Sequence, residues 1–324
     1  MEQKDIFSKL GLELCQNCLW SSNKKLLGIV NPSAYLRIRG NKHQIIYAHG
    51  PLGYFRIDLS AERELIERLA RCRFYLPCKE KDVLRLKELL EVNPLSRSVS
   101  YLINWVENFS ELAALLREIA KAKVLIVGCG GVGSNTAYLL AGLGFKTLHL
   151  LDGDKIDITN LNRQALYTKA DVGKFKVTQL KQHLLERFTG LTITTIRSFV
   201  DKKCIRNLTA NIDIIVVSAD SPPNVYQDFY NTLSGKVLFT GGYDVMDCVV
   251  AQFSTRPKRN KKKNIYVFPI LDVPPSSGPL NFRVSAILAE QILRYMVTHK
   301  AHNSIQKLYF DGPRFAGIKP IYRY

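Results

Sequence analysis

The stretch VLIVGCGGVGSN (residues 124–135) decides the fold of this 324-residue chain. An apolar run leads directly into Gly128, Gly130 and Gly133, which have the spacing G-x-G-x-x-G. A buried strand that turns through glycines into a helix can hold a phosphate on the backbone N–H groups of the helix start. Gly131 adds another glycine, which would let a phosphate lie closer to the backbone.

The same window continues with LLDGDKIDITNLNRQ (150–164) and ADVGKFK (170–176). Asp152 ends the second predicted strand, where an acid can accept hydrogen bonds from ribose hydroxyls. The glycines and this acid by themselves would indicate a nicotinamide or flavin dehydrogenase.

A cluster of polar residues after the second strand points to a nucleoside triphosphate instead. The cluster contains Asp154, Asn160, Arg163, Gln164 and Lys176. Arginine and lysine neutralise phosphate charge, and asparagine can donate a hydrogen bond to a phosphate oxygen. A dehydrogenase needs no such cluster at this place, so the ordered set predicts an ATP site.

Predicted strands alternate with helices from residue 124 onward, which is typical of an α/β fold with a mostly parallel, Rossmann-like sheet. Ligands bind such sheets at the carboxyl ends of the strands. Asp152 and the glycines fall at strand ends, and Asp220 follows the apolar run of IDIIVVSAD (212–220). Carboxylate oxygen suits magnesium. We therefore predict that Asp220 holds a Mg²⁺ ion that bridges the phosphates.

The chain is predicted to divide near residue 95, with domains at 1–95 and 96–324. Residues 26–58 contain short apolar stretches separated by turn signals, which predict strands, and helical patterns follow at 61–72 and 81–92. This small α+β unit is too poor in catalytic groupings to be an enzyme by itself.

Composition limits the possible functions. The chain is 46% hydrophobic, has seven scattered cysteines and carries a net charge of +18. No apolar run is long enough to cross a bilayer and no signal peptide is evident, so we expect a reduced cytoplasmic protein without a membrane partner. The positive charge suits nucleotides and acidic peptides. The basic run at 256–263 has no interleaved aromatic residues and no nucleic-acid motif accompanies it, so we expect no nucleic-acid partner.

The ordered motifs GCGGVG, D-x-D, TNLNRQ, DVGKFK and SAD resemble the ThiF/MoeB/HesA family, which is related to ubiquitin-activating enzymes. The resemblance implies a homodimer that binds ATP with Mg²⁺ and adenylates a carboxylate. By motif, Gly131 resembles the phosphate-contacting glycine and Asp152 the ribose-binding acid. Asn160, Arg163 and Lys176 resemble the triphosphate contacts, and Asp220 the magnesium aspartate. The resemblance also implies a partner-subunit arginine at the ATP, and Arg97 is the residue expected there.

Within the family, the chain is similar to the peptide-modifying branch that acts in antibiotic biosynthesis. Members of that branch carry an N-terminal peptide-clamp domain, which the 1–95 unit resembles in plan. The resemblance implies an acidic precursor peptide bound by strand addition to an exposed sheet edge. It also implies activation of a glutamate side chain or a C-terminal carboxylate, followed by cyclisation within the peptide. Tyr243 and Asp244 lie near the expected site of that second step.

One departure from many family members concerns a structural zinc, which they hold with two C-x-x-C pairs in the C-terminal half. This half has only Cys204 and Cys248, and four thiolates are needed for such a site, so we expect no zinc there. The Cys15 and Cys18 pair is interpreted as local packing. We also expect no acceptor thiol of the ubiquitin-activating type.

Two alternatives remain open at this point. The same fold can adenylate a sulfur-carrier protein C-terminus or act on a modified tRNA base. A protein of this fold can also bind a peptide without catalysis.

Overall fold

The computed structural model describes residues 7–8, 11–39, 45–57, 62–202, 205–221, 225–244, 247–255, 276–301, 303–308 and 318–323. The chain forms two compact units, residues 1–117 and 118–324. The pattern of strands, turns and helices along the sequence places the domain boundary between residues 95 and 96, and that boundary stays a prediction. The basic run at 256–263 and Cys204 lie outside the described residues.

The first unit contains two antiparallel sheets. The strands are β1 (Leu12–Cys15), β2 (Cys18–Ser21), β3 (Leu26–Val30), β4 (Tyr35–Arg39), β5 (Ile45–Gly50), β6 (Gly53–Arg56) and β7 (Tyr75–Pro77). One sheet has the order β1-β2-β3-β7, and β4, β5 and β6 form the other. The sequence predicted β3 to β6 but missed the hairpin β1–β2, in which Gln16 and Asn17 turn with φ of 48° and 65°. Positive φ at both central residues is the conformation that two-residue hairpins favour.

The second unit is built on one large sheet. Its strands are β8 (Lys123–Val127), β9 (Thr147–Leu151), β10 (Thr192–Ile196), β11 (Ile214–Val217), β12 (Val237–Asp244), β13 (Asp247–Phe253), β14 (Ser304–Leu308) and β15 (Ile318–Arg323). They have the order β10-β9-β8-β11-β12-β13-β14-β15. The first five run parallel to one another, and β13, β14 and β15 pair antiparallel. The predicted α/β fold with a mostly parallel sheet is therefore confirmed.

Eight α-helices are described. They are α1 (Glu62–Arg71), α2 (Val83–Glu91), α3 (Ser96–Leu102), α4 (Phe109–Lys121), α5 (Gly131–Leu143), α6 (Lys176–Arg187), α7 (Ile205–Thr209) and α8 (Gly278–Thr298). Helix α4 spans the division between the two units. None of the helices in the described chain is long and apolar enough to span a bilayer. The helix predicted after residue 223 is instead a 3-10 helix at Val225–Thr232, a stretch rich in aromatic residues, which lose rotamer freedom in an α-helix.

Strand β8 places the glycine loop. Val124, Leu125, Ile126 and Val127 are fully buried, because β8 lies between β9 and β11 in the sheet. A strand that is covered on both faces needs a continuous apolar run, and each such side chain stabilises the fold by about 1.5–3 kcal/mol. The loop at 128–133 therefore leaves the centre of the sheet at its carboxyl edge.

Candidate functional site

The glycine loop is packed closely against the end of β11. Gly128 has φ of +87°, and a Cβ there would lie 2.7 Å from the Ala219 nitrogen. A Cβ on Gly133 would lie 1.8 Å from the Gly128 carbonyl oxygen and 2.5 Å from Ser218 Oγ. Ser218 Oγ also donates a hydrogen bond to the Gly128 carbonyl oxygen over 2.9 Å. These contacts explain why both positions require glycine.

Helix α5 begins without a side-chain cap. Gly130 is its N-cap residue and makes no side-chain capping hydrogen bond. The first N–H groups of a helix have no intrahelical acceptor, and the helix dipole adds partial positive charge at this end. The start of α5 is therefore suited to an anion such as phosphate.

The space beside Gly131 is not open. A Cβ on Gly131 would lie 2.3 Å from Asn281 Oδ1 and 3.3 Å from the Arg163 carbonyl oxygen. Asn281 belongs to α8, and its Nδ2 donates to the Ser277 carbonyl oxygen over 2.6 Å. The Asn281 carboxamide therefore packs directly beside Gly131, which brings α8 to the glycine loop.

Asp152 joins the end of β9 to the glycine loop. Its Oδ2 accepts a 2.7 Å hydrogen bond from the Cys129 N–H, and its Oδ1 accepts one of 2.7 Å from the Asp154 N–H. Burial raises the pKa of the Asp152 carboxyl, and these N–H donors oppose part of that rise. A carboxylate oxygen can accept more than one hydrogen bond, so ribose hydroxyls would still find an acceptor here.

Lys176 is the first residue of α6 and is buried, with its Nζ 2.8 Å from Asp154 Oδ2. The Lys176 side chain is 10% exposed, whereas that of Asp154 is 51% exposed. An ammonium has three donors, so this ion pair leaves two of them for another acceptor. The structure thus brings together two of the predicted residues as one ion pair.

Asn160 and Arg163 lie in the loop that follows β9. Asn160 Oδ1 accepts from the Asp157 N–H over 3.2 Å as part of a capping box. Arg163 Nη1 donates to the Thr159 carbonyl oxygen over 2.8 Å and to Asn162 Oδ1 over 3.0 Å. The two side chains therefore organise their own loop, and the remaining guanidinium N–H groups and the Asn160 NH₂ are the donors left for a ligand.

Gln164 and Tyr167 tie this loop to the glycine loop. Gln164 is buried, and its Nε2 would lie 3.6 Å from a Cβ on Gly130. Its Oε1 has no hydrogen-bond partner in the described chain. Tyr167 Oη donates to the Cys129 carbonyl oxygen over 2.7 Å. A buried polar atom without a partner is rare in native proteins and fits a site that a polar ligand completes.

Asp220 is exposed and follows Ala219, which contacts Gly128. The described residues contain no group of three or more histidine, cysteine or acidic side chains that could hold a metal ion. Protein carboxylate alone would therefore not bind magnesium here, and ligand oxygens would have to complete its coordination.

Three further residues were predicted from the sequence: Arg97, Tyr243 and Asp244. Arg97 is an exposed residue of α3, in the first unit. The Tyr243 hydroxyl contacts Ser276 Oγ. The Tyr243 hydroxyl also accepts a hydrogen bond from Asn281 Nδ2 over 3.4 Å. Tyr243 is thus linked to the glycine loop through Asn281. The Asp244 side chain lies outside the described residues.

Sequence reasoning missed several residues of the site. Ser285 Oγ lies 2.9 Å from the Val132 carbonyl oxygen and 2.8 Å from that of Asn281. Phe199 is 67% exposed, and a Cβ on Gly153 would lie 2.8 Å from its ring. The only sequence signal for α8 is an apolar periodicity, which does not indicate what the helix contacts.

A family model, the ThiF family, matches residues 102–320. This match covers more than half of the chain. The chain belongs to the ThiF family. Members of this family are ATP-dependent enzymes with an adenylyltransferase fold.

Curated relatives match part of this ThiF-family chain. The adenylyltransferase and sulfurtransferase uba4 of Aspergillus terreus is 38% identical over 109 residues, which is 34% of this chain and 22% of uba4. The adenylyltransferase and sulfurtransferase MOCS3 of Anopheles gambiae is 35% identical over 109 residues, 34% of this chain and 25% of MOCS3. The chain therefore matches about a quarter or less of the length of these relatives.

Solved structures share the fold over almost the whole chain. Escherichia coli MccB with ATP has a TM-score of 0.66 at 21% identity, over 90% of this chain and 95% of MccB. PaaA has a TM-score of 0.64 at 18% identity, over 89% of this chain and 99% of PaaA. The likeness covers residues of both units and shows that this chain shares its fold with MccB and PaaA.

Proposed function

We propose that this protein uses ATP and Mg²⁺ to adenylate a carboxylate of an acidic, ribosomally made precursor peptide, as a step in antibiotic biosynthesis. The observation that carries the proposal is the uncapped start of α5 between Asp152 and the Lys176–Asp154 ion pair, all at the carboxyl edge of the parallel sheet. We further propose that residues 1–95 bind the peptide, that 96–324 bind ATP, and that the protein is a homodimer.

The residues present fit ATP. The first N–H groups of α5 would bind phosphate, Asp152 would accept from the ribose, and the unpartnered Gln164 Oε1 offers a further acceptor. ATP supplies an electrophilic α-phosphorus and pyrophosphate as the leaving group. Asp220 would hold Mg²⁺ together with phosphate oxygens.

In the proposed ATP complex, the Lys176 ammonium would bind phosphate in addition to Asp154. Phosphate oxygens carry more charge than one carboxylate, so they would compete for the two free donors of the Lys176 ammonium. Arg163 would supply a second cation from the neighbouring loop, and Arg97 of the partner subunit a third. These cations would stabilise the negative charge that develops on pyrophosphate as the carboxylate oxygen attacks phosphorus.

A pocket in the first unit is suited to a peptide. Its volume is about 350 Å³, and its lining includes Tyr75 and Leu76 of β7, Leu52, and the cations Arg71 and Arg73. Strand β7 is an edge strand, and within its sheet it pairs only with β3. A peptide added to this edge would place side chains in a pocket that is lined by apolar residues, two arginines and one acid, Glu107. The excess of positive charge in this lining suits an acidic sequence.

The two described thiols of the second unit, Cys129 and Cys248, argue against transfer of the acyl group to cysteine. Cys129 and Cys248 are fully buried. Burial raises the pKa of the Cys129 thiol well above its usual range, and the nearby Asp152 charge adds to this effect. A thiolate is the nucleophile in such transfers. We therefore propose that a group of the same peptide captures the activated carboxyl, giving a cyclised product.

A second candidate is adenylation of a sulfur-carrier protein. The named activities of uba4 and MOCS3, adenylyltransferase and sulfurtransferase, favour it. It would use the same ATP residues, so the two candidates differ only in the carboxylate that is presented.

The test is pyrophosphate release from ATP with the purified protein, measured with acidic peptides and with a sulfur-carrier protein in parallel. The acidic peptides are synthetic, glutamate-rich sequences of different lengths. We expect peptide-dependent AMP and pyrophosphate. ADP would indicate an acyl phosphate, turnover with the carrier protein alone would support the second candidate, and no turnover with either would contradict an enzymatic role.

Site variants test the assignment of residues. Arg163→Ala and Lys176→Ala should each lower turnover by about 100-fold or more, because positioned charges contribute that much to transition-state stabilisation. The matched control is Lys169→Ala, which removes an exposed lysine from the loop before α6. The free energy of unfolding of both variants, measured in urea, should stay within about 1 kcal/mol of the wild-type value. Full activity in both would show that the site is wrongly assigned.

A further inference from the structure

The outer face of the β4–β5–β6 sheet carries a row of stacked rings. Tyr35 pairs with His49, and His49 pairs with Tyr54, across the three strands. The Tyr35 and His49 rings are 4.5 Å apart with 6° between their planes, and the His49 and Tyr54 rings are 5.0 Å apart with 18°. The three rings thus form one continuous stack.

A second row runs beside the first. Arg37 and Arg56 each pair with Tyr47. Residues two apart on a strand share a face, so this row lies next to the stacked rings. The edge contact of Tyr47 with Tyr54, with ring centroids 6.3 Å apart, agrees with that placement. We call the two rows together the Tyr–Arg face.

The opposite face of the same sheet is part of the core. Ala48 and Ile57 are buried there, and Leu36, Ile46 and Phe55 pack against the same cluster. A shift of one residue in register would exchange the two faces and bury the arginines. The hydrophobic core of the first unit therefore fixes which side chains the Tyr–Arg face presents.

The Tyr–Arg face is open and basic. Tyr35 is 57% exposed and Tyr54 is 69% exposed. Arg37 and Arg56 are also exposed, and none of the described residues of β4, β5 and β6 is acidic. A surface that combines exposed aromatic side chains with one sign of charge is a candidate binding surface.

We propose that the Tyr–Arg face binds the acidic segment of the peptide substrate. This inference rests on the proposed function, because it names where that substrate is held. Arginine guanidinium groups bind carboxylates with two parallel hydrogen bonds, and tyrosine hydroxyls donate a further one. The face offers these donors to a chain of glutamate or aspartate side chains.

The stacking of the rings favours a peptide over a single-stranded nucleic acid. Bases bind to protein surfaces by stacking on open aromatic ring faces. In this row, both faces of the His49 ring are covered by Tyr35 and Tyr54, and each tyrosine has one face covered. Tyr35 and Tyr54 are more than half exposed, so their hydroxyl groups can donate hydrogen bonds to carboxylates, whereas His49 Nε2 is buried.

The face also continues into the pocket at β7. Leu52 lies in the turn between β5 and β6, is 60% exposed, and lines that pocket. A peptide held at the β7 edge would pass over this turn to reach Tyr54. One extended peptide can therefore occupy both surfaces.

The experiment uses the full chain and a fluorescein-labelled, glutamate-rich peptide, with a labelled oligothymidylate of equal length as the second probe. Fluorescence anisotropy gives the affinity of each probe for the wild type, for Arg37→Gln/Arg56→Gln and for Tyr35→Leu/Tyr54→Leu. The matched control is Lys81→Gln/Arg85→Gln, which removes the same charge from exposed positions near and on α2. Thermal unfolding verifies that each variant is folded.

We expect peptide affinity to fall at least about tenfold in both face variants and to stay within about twofold in the control. Equal losses in the arginine variant and the control would reduce the effect to net charge and overturn the inference. So would tighter binding of the oligothymidylate, with that binding lost in the face variants. A variant that changes only self-association in sedimentation would assign the face to a second copy of the chain, which also overturns it.

Pyrophosphate release separates this inference from the proposed function. Peptide binding that depends on Arg37 and Arg56, without any turnover of ATP, would reject the enzyme and keep the surface. Turnover with the same KM for peptide in the face variants and the wild type would reject the surface and keep the enzyme.

Discussion

At the residue scale, Asp152 holds the glycine loop and is also the residue that we propose to bind ribose. Its two oxygens accept from the Cys129 and Asp154 N–H groups, so the same carboxylate that would bind ribose also holds the glycine loop on the end of β9. Burial raises its pKa. A raised pKa means that the folded protein binds this proton more readily than the unfolded chain does. Protonation of Asp152 therefore favours the folded state as the pH falls. Ribose binding by Asp152, as proposed, would instead need the ionised carboxylate.

We therefore predict that ATP affinity falls as the pH is lowered from neutral towards the raised pKa of Asp152. Asp152→Asn should bind ATP about tenfold or more weakly at neutral pH, since an amide offers one acceptor oxygen in place of two. The variant should also lose most of the pH dependence. Titration calorimetry at several pH values measures both effects, and an identical pH dependence in the variant would contradict the role of Asp152.

At the scale of elements, helix α5 is defined by how closely its first turn approaches β8. A Cβ on Gly133 would overlap the Gly128 carbonyl oxygen at 1.8 Å, and a backbone atom cannot move aside as a side-chain tip can. Gly142, near the other end of α5, has room for a side chain. A Cβ there would meet the Phe188 ring at 3.8 Å, an ordinary contact.

Replacing these two glycines of α5 by alanine should therefore change the stability of the protein in opposite directions. Gly133→Ala should destabilise the protein by about 3 kcal/mol or more and abolish nucleotide binding, because α5 must move away from β8. Gly142→Ala should stabilise it by about 0.5–1 kcal/mol, because glycine in a helix interior costs backbone entropy. Urea unfolding followed by circular dichroism measures both changes. Equal effects at the two positions would show that the close approach does not determine the fold of the loop.

At the scale of the whole molecule, the distribution of cysteines predicts a protein that needs no zinc. In the described residues, no cysteines group with other ligands in a number that could hold a metal ion. Cys129 lies in the glycine loop, and Cys248 is buried in β13 of the same sheet. Cys15 and Cys18 close the turn of the β1–β2 hairpin.

Purified protein should therefore contain much less than one zinc per chain, and a strong chelator should leave its melting temperature unchanged. Elemental analysis and thermal unfolding with and without chelator measure this. The Cys15→Ser/Cys18→Ser variant is the control for zinc held at the hairpin. Stoichiometric zinc whose removal lowers the melting temperature would contradict the prediction.

The sequence by itself determined the features that depend on neighbours along the chain. The glycine spacing at 128–133, the acid at Asp152 and the lysine at the start of α6 follow from local alternation of strand, turn and helix. Their order predicted the parallel sheet and the family, and both predictions are confirmed. It also predicts the edge at which the ATP site lies, because the carboxyl ends of parallel strands meet at one edge whatever the details of packing.

Only the tertiary structure decided which distant residues complete these features. Asn281 fills the space beside Gly131, and Ser285 lies against the Val132 carbonyl oxygen, although α8 begins far along the chain from the glycine loop. In the first unit, strand register joins Tyr35, His49 and Tyr54 into one stack. Such contacts arise from the packing of helices and strands that are far apart in the sequence. The spacing of neighbouring residues along the chain does not indicate that packing.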